Sequence, residues 1–422
     1  MGGERADGRD IEELGGVEMM SFEKRKLGDF IDVLSGFAFK SKDFSKTGIP
    51  VIKIKNINPP DVTLEEVSFV PKEIAFQKPR YILNRGDILI AMTGSHINQI
   101  ASVVGRVGRV RYDKVSVLNQ RVGKIINKDS SLVDIDFIYY YLSQYEVKFE
   151  LAQKAGGAAN QANISPQDIK DLLFPYPNID VQHRIATTLS RYDSLIDNYQ
   201  KQIKLLEEAA QRLYKEWFVN LRFPGHENTK IVDGVPEGWE KKSISEIGTY
   251  LNGFAFKPSD WQEKGKPIIK IKEMGNGVTS DTPRNNGERV PSKYLVKSGD
   301  LLFSWSATLM VIVWSGEDGW LNQHLFKVTP AENIGREFLL QSIASTILEF
   351  ANLTTGSTMK HIQRNKLDQV YVNVPSKDIM NMYNEATETV RNAILSLSTQ
   401  LRLLTESRNR LLPKLLSGEI EI

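Results

Sequence analysis

The chain has 422 residues, more than one hydrophobic core usually organises, so two or more domains are expected. Its 54 basic and 52 acidic residues leave a net charge of +2, which excludes a general pull toward nucleic acid and confines such binding to local patches. Cysteine is absent, excluding disulfides, thiolate metal sites and cysteine nucleophiles and fitting a reducing cytoplasm; no run of about 18 apolar residues could span a membrane.

In chain order, residues 1–20 are Gly-rich and acidic, carry no secretory signal, and read as a disordered leader with Met19 or Met20 as alternative starts. Residues 21–180 read as a first mixed α/β domain. Ile52 and Ile54 alternate with Lys53 and Lys55, which predicts a strand with one buried face. Gly86-Asp87 predicts a turn entering a buried strand. A short helix is expected over Asp134 to Tyr145, and another between Ser165 and Leu173, with Ser165 as N-cap and Pro166 at the first position. A long helix follows over 181–222. Residues 223–377 form a second domain, and 378–418 a second long helix.

The two domains are copies of one module. SGFAFKSKDF at 35–44 matches NGFAFKPSDW at 252–261, and PVIKIKNI from Pro50 matches PIIKIKEM from Pro267. RYILNRGDILIA from Arg80 matches KYLVKSGDLLFS from Lys293, with Gly299-Asp300 in place of Gly86-Asp87, and LNQRV from Leu118 matches LNQHL from Leu321. GAANQANISPQDIKDLLFPYP ends at Pro177, as GSTMKHIQRNKLDQVYVNVP ends at Pro375. Ordered matches of this kind mark a duplication.

Each long helix carries a heptad seam. The first runs through Ile185, Leu189, Tyr192, Ile196, Tyr199, Ile203, Leu206, Ala210, Leu213 and Trp217. The second runs through Tyr383, Thr387, Val390, Ile394, Leu397, Leu401, Leu404, Arg408, Leu411 and Leu415, and is weaker at Thr387 and Arg408. Helices this long reach roughly 50 Å. A seam could dock on its own domain, but one so narrow prefers another helix, and the chain supplies one of matching length. Connectivity then makes the pair antiparallel, with a module at each end. The fold class expected is therefore α+β, two similar α/β domains separated by two long antiparallel coiled-coil helices, with a pseudo-twofold repeat like that of duplex DNA.

KEWFVNLRFPGHE at 215–227, VPEGWE at 235–240 and LLPKLLSGEI at 411–420, together with the GFAF and GD motifs of each half, resemble the specificity subunits of type I restriction–modification enzymes. The resemblance covers about residues 21–420. It implies two target-recognition domains, each reading one half of a bipartite DNA sequence, and helices that fix the gap between the halves. It also implies docking of two modification subunits, which methylate adenine with S-adenosylmethionine, and of restriction subunits that use ATP and Mg. None of those cofactors is expected in this chain, and a cytoplasmic location is.

A search for chemistry gives little. Asn58-Pro59-Pro60-Asp61 resembles the loop of adenine N6-methyltransferases, but Asp61 stands where an aromatic should stack on the base, and no Gly-rich S-adenosylmethionine turn precedes it. It reads as a turn. Gly265-Lys266 lacks the spacing of a phosphate loop, and no acid-x-Lys pair suits a nuclease core. The five histidines show no metal-ligand spacing. A noncatalytic DNA-recognition subunit is therefore expected. A stand-alone adenine methyltransferase and a protein-binding coiled-coil scaffold are the competing readings.

Candidate DNA contacts fall in two groups. The stretch from Arg106 to Lys128 holds Arg106, Arg109, Arg111, Lys114, Arg121, Lys124 and Lys128 against Asp113 alone, either a phosphate-neutralising cluster or a solvated hairpin. The lysine faces at Lys53/Lys55 and Lys270/Lys272 could meet the DNA backbone or simply face solvent. Base reading should differ between the copies. The segments that disagree hold Ser95, His96, Asn98 and Gln99 against Ser306 and Thr308, then Asn160, Gln161 and Asn163 against Thr358, Lys360 and His361; His324 replaces Arg121. Asn and Gln can bond adenine, Lys and His can reach guanine acceptors, and Ser or Thr suits several bases; ordinary loop polarity is the alternative. Trp217, Phe218 and Phe223 are either packing residues or anchors for a modification subunit.

Overall fold

The computed structural model describes residues 22–94, 103–155, 162–279, 281–352 and 364–422. The leader expected over 1–20 lies outside them. The chain divides into two compact units, one of Met1–Asp193 with Glu406–Ile422 and one of Ser194–Thr405. Neither long helix is a domain of its own. Each contributes one stretch to unit 1 and another to unit 2.

Unit 1 has a main sheet ordered Ile31–Ser35, Val122–Asn127, Ile88–Ala91, Val107–Arg109, Asp61–Val62 and Ile57–Asn58. Its second sheet runs Ser68–Val70, Ile49–Ile52, Ser116–Leu118 and Ile82–Leu83, with the middle two strands parallel. Strand Ile88–Ala91 is buried on both faces, and its period of two sorts the side chains between cores. Ile88 and Ile90 join a large cluster with Phe137, Ile138 and Phe174, while Leu89 and Ala91 join Ile52, Leu83 and Leu118.

Unit 2 repeats the order of the second sheet and of the first four strands of the main sheet. Gly248–Asn252, Leu325–Pro330, Leu301–Ser304 and Met310–Val313 form the main sheet. Arg284–Asn285, Lys266–Ile269, Gly319–Leu321 and Leu295–Val296 form the second, again with a parallel middle pair. The duplication seen in the sequence is a duplication of strand order and register.

The repeated motifs prove to be scaffold. A Cβ on Gly36 would lie 2.2 Å from the Asn119 carbonyl oxygen, and one on Gly253 would lie 2.1 Å from that of Asn322. The glycine of GFAF is thus needed where the LNQ segment crosses it. Phe37 bridges Asn119, and Phe254 bridges Asn322. In the GD turns, Asp87 accepts from the Asn84 amide at 2.8 Å and pairs with Lys124 on the neighbouring strand at 2.7 Å. Asp300 accepts from the Lys297 amide at 2.9 Å and lies 3.7 Å from Lys327, the equivalent lysine.

The alternation over 52–55 does not continue as a strand. The strands end at Ile52 and Ile269, because a side chain three residues on captures the next amide. The Lys53 N–H donates to Asn56 Oδ1 at 3.1 Å, starting the 3-10 turn Ile54–Asn56. The Lys270 N–H donates to Glu273 Oε2 at 3.0 Å, starting the helix Ile271–Asn276. Both ammonium groups sit over aromatic rings, Lys53 on Phe44 at 4.4 Å and Lys270 on Trp261 at 4.5 Å, and burial holds both below the usual lysine range.

Elsewhere the short helices start where their caps lie. Asp134 caps Ile135–Leu142 by accepting from the Asp136 and Phe137 amides, and Ser165 caps Pro166–Lys170 by accepting from the Asp168 amide at 3.2 Å.

The long helices span Ile179–Tyr214 and Lys377–Ser417, and the first ends in a π-helical turn, Lys215–Val219, rather than continuing to 222. Their seam positions are all buried or half-buried. The two weak positions have local solutions. The Thr387 hydroxyl donates to the Tyr383 carbonyl at 2.8 Å, and Arg408 Nη1 lies 3.3 Å from Asp193 Oδ1, whose other oxygen accepts from the Tyr140 hydroxyl at 2.8 Å. The Asp193 side chain is only 12% exposed. Asp193→Ala would leave the guanidinium without that charge and the phenol without its acceptor. A loss of about 3 kcal/mol is expected, read from urea denaturation of unit 1.

Phe218 and Phe223 are buried, and with Tyr214, Trp239, Phe338 and Tyr383 they belong to the core of unit 2, against which Trp217 packs. The packing reading of these aromatics describes what the structure shows.

Candidate nucleic-acid interface

In unit 1, strand Ile88–Ala91 runs out into Met92, Thr93 and Gly94. Thr93–Gly94 pairs antiparallel with Ala162–Asn163, Asn163 opposite Thr93, and the Ile164 amide donates to the Met92 carbonyl at 2.9 Å. Two polar segments distant in the sequence therefore meet at one end of the main sheet. Ser95, His96, Asn98, Gln99, Asn160 and Gln161 lie outside the described residues. Asn163 is exposed.

Two arginines reach the same end. The Met92 amide donates to the Arg121 carbonyl at 3.0 Å, and the Ala91 amide donates to the Arg106 carbonyl at 2.9 Å. Arg121 is exposed and Arg106 half-buried. Burial, with the Arg106 charge, holds Lys148 below its usual range.

The rest of the basic run goes elsewhere. Strand Val107–Arg109 is antiparallel to Ile88–Ala91, so Arg109 lies opposite Ile88, at the far end from Met92. Its guanidinium lies 4.4 Å above the Tyr139 ring and 2.8 Å from Asp136. Arg111 Nε lies 2.9 Å from Asp61 Oδ1. These side chains are 20% and 30% exposed. In the absence of DNA, Arg109 and Arg111 form ion pairs that hold helix Ile135–Leu142 and the 57–62 hairpin to the sheet. Lys124 is paired with Asp87, and Lys128 donates to the Gly28 carbonyl. A basic run in the sequence is not one basic patch.

In the same hairpin, Asn58 Nδ2 donates to Thr63 Oγ1 at 2.9 Å, and Asp61 engages Arg111. Asn58–Asp61 is a structural turn.

At the matching end of unit 2 the chain makes a tight turn. Ser304 Oγ accepts from the Met310 amide at 2.9 Å and donates to the Thr308 carbonyl, while Ala307 takes a φ of +55°. Thr308 is exposed, whereas Ser306 is only 3% exposed in the DNA-free chain. The Trp305 amide lies 3.5 Å from the His324 carbonyl, the two rings are 5.7 Å apart, and the indole Nε1 donates to Asn252 Oδ1 at 3.3 Å. Thr358, Lys360 and His361 lie outside the described residues. Asn252 was not singled out in the sequence, although the copies already differ there, Ser35 against Asn252 beside GFAF.

Among the described residues no group of three or more His, Asp or Glu is placed to hold a metal, and no helix is long and apolar enough to cross a membrane.

The model of the family "Type I restriction modification DNA specificity domain" matches residues 19–208 and again 236–387. The chain belongs to this family. Both copies of the specificity domain coincide with the two halves of the repeat. The chain is 22% identical over 431 residues to the type I restriction enzyme MjaVIII specificity subunit of Methanocaldococcus jannaschii, covering 95% of this chain and 93% of that protein. It is 29% identical over 367 residues to the HindI specificity subunit of Haemophilus influenzae, covering 70% and 80%. A crystal structure of the type I restriction–modification S subunit from M. genitalium shares the fold, with a TM-score of 0.56, 17% identity, and 96% and 98% of the two chains covered. The protein is a specificity subunit of the type I restriction–modification class, with two target-recognition domains.

Proposed function

We propose that each unit reads one half of a bipartite DNA sequence at the end of its main sheet, and that the chain itself performs no catalysis. One observation carries this reading. The same strand order and the same glycine contacts recur in both units, while the side chains at that sheet end differ. Specificity subunits of this class act with DNA and other subunits. In this reading the partners are two modification subunits, with two restriction subunits joining them, and S-adenosylmethionine, ATP and Mg are bound there. The two long helices act as the spacer between half-sites and as the docking surface for modification subunits. The stretches of the central helix that lie along the C-terminal helix in each unit support that role.

Gel shifts with a bipartite duplex, by the chain alone and with its modification subunits, test the reading. Tight binding that falls when either half-site is scrambled is expected, and equal affinity for scrambled half-sites across a range of salt would overturn it. Arg121→Ala should weaken binding to all sequences alike and lower the slope of log K against log salt by about 0.9. Arg109→Ala should leave that slope unchanged and lower the stability of unit 1 instead, because its charge is already spent on Asp136.

A further inference from the structure

The sheet end of unit 2 holds a hydrogen bond that fixes the polarity of an exposed amide. Indole Nε1 is a donor and nothing else, so the atom of Asn252 that meets Trp305 at 3.3 Å must be the carbonyl oxygen. The Asn252 amide cannot flip without losing this bond. Its Nδ2, with two donors, makes no hydrogen bond among the described residues, and Asn252 is exposed. Trp305 is itself held, half-buried against the core of unit 2, with its ring 6.1 Å from Phe326 and 5.7 Å from His324.

The location matters as much as the chemistry. Asn252 precedes GFAF, Trp305 follows the buried strand Leu301–Ser304, and His324 ends the LNQ turn. The equivalent positions in unit 1 are Ser35, Met92 and Arg121, held by the same backbone pairings. An identical frame therefore carries an indole–amide lock in one unit and none in the other.

We propose that Asn252 is a specificity-determining residue of unit 2, reading a base edge that presents acceptors, guanine O6/N7 or thymine O4, and that Trp305 is its positioning residue. An asparagine that reads adenine needs its oxygen for N6 and its nitrogen for N7. Here the bond to Trp305 takes one lone pair of the oxygen and fixes the amide's orientation, so the group meets a base first through its two donors. This inference rests on the reading of unit 2 as a half-site reader.

The test uses the full chain assembled with its modification subunits and a pool of duplexes randomised across both half-sites. Base frequencies at each position are compared for wild type, Trp305→Phe and Asn252→Asp. Trp305→Phe keeps the ring and frees the amide to flip, so one column of one half-site should relax to admit adenine, with the guanine or thymine preference falling about tenfold. Asn252→Asp turns donors into acceptors, so the same column should move to cytosine or adenine. The other half-site, selected unchanged, shows that each variant is folded and assembled. An unchanged motif in both variants, or uniform weakening across every column, would overturn the proposal. If the wild type selects no bipartite motif at all, it is the reading of the units as half-site readers that fails.

Discussion

Replacing Leu415 and Leu416 together by alanine is expected to destabilise unit 1 by about 5 kcal/mol and to leave unit 2 as it was. These side chains are 2% and 1% exposed, and they lie in the same core cluster as Ile185, Leu189, Phe137 and Phe174. Each Leu→Ala change in a packed core costs about 3 to 5 kcal/mol through lost transfer and a residual cavity. Neighbouring cavities merge, so the pair falls short of the sum. A loss of this size approaches the whole stability of a typical domain. Amide hydrogen exchange reads the two units separately. Protection should collapse in residues 22–193 and persist in 239–345, and equal loss in both would contradict the division of the C-terminal helix between the units.

Phe218→Ala is the counterpart in unit 2, with an expected cost of about 4 kcal/mol. The ring lies between 4.8 and 5.8 Å from Tyr383, Phe338, Tyr214 and Trp239, edge-on to the first two. Such contacts add to the burial of a large ring at about 0.5 to 1.5 kcal/mol per pair. Phe218→Leu keeps most of the volume and should cost about 1.5 kcal/mol. The competing idea, an aromatic anchor for a modification subunit, makes a different forecast. In that case urea denaturation would show an unchanged midpoint for Phe218→Ala, and only assembly would be lost.

What the sequence disclosed follows from the kind of signal involved. The repeat was legible because glycines that must touch a carbonyl, and aspartates that must cap a turn, cannot drift between copies. Both helices were legible because a seam spaced by threes and fours has one structural meaning, and even Arg408 fits it once Asp193 is seen. The strand ends were not legible. Ile54 alternates correctly, and only the Lys53 amide captured by Asn56 shows that the chain turns first. The basic run scatters for a topological reason, since an antiparallel strand carries Arg106 and Arg109 toward opposite ends of the sheet. The lock at the sheet end of unit 2 escaped because Asn252 and Trp305 are distant in sequence, and no local pattern announces a hydrogen bond between them. The burial of Ser306, polar and in a stretch where the two copies differ, was not legible either.

The division of the long helices also bears on how the protein is made. Unit 2 is one uninterrupted stretch, Ser194–Thr405, whereas unit 1 is completed by Glu406–Ile422. During synthesis from the N-terminus, the second unit can therefore close as soon as its own residues have emerged. The first unit must wait, with Ile185 and Leu189 uncovered, until the leucines at 412, 415 and 416 leave the ribosome. The half translated first is the half that matures last. A chain released early at about residue 405 would carry a finished second unit beside a first one lacking part of its core.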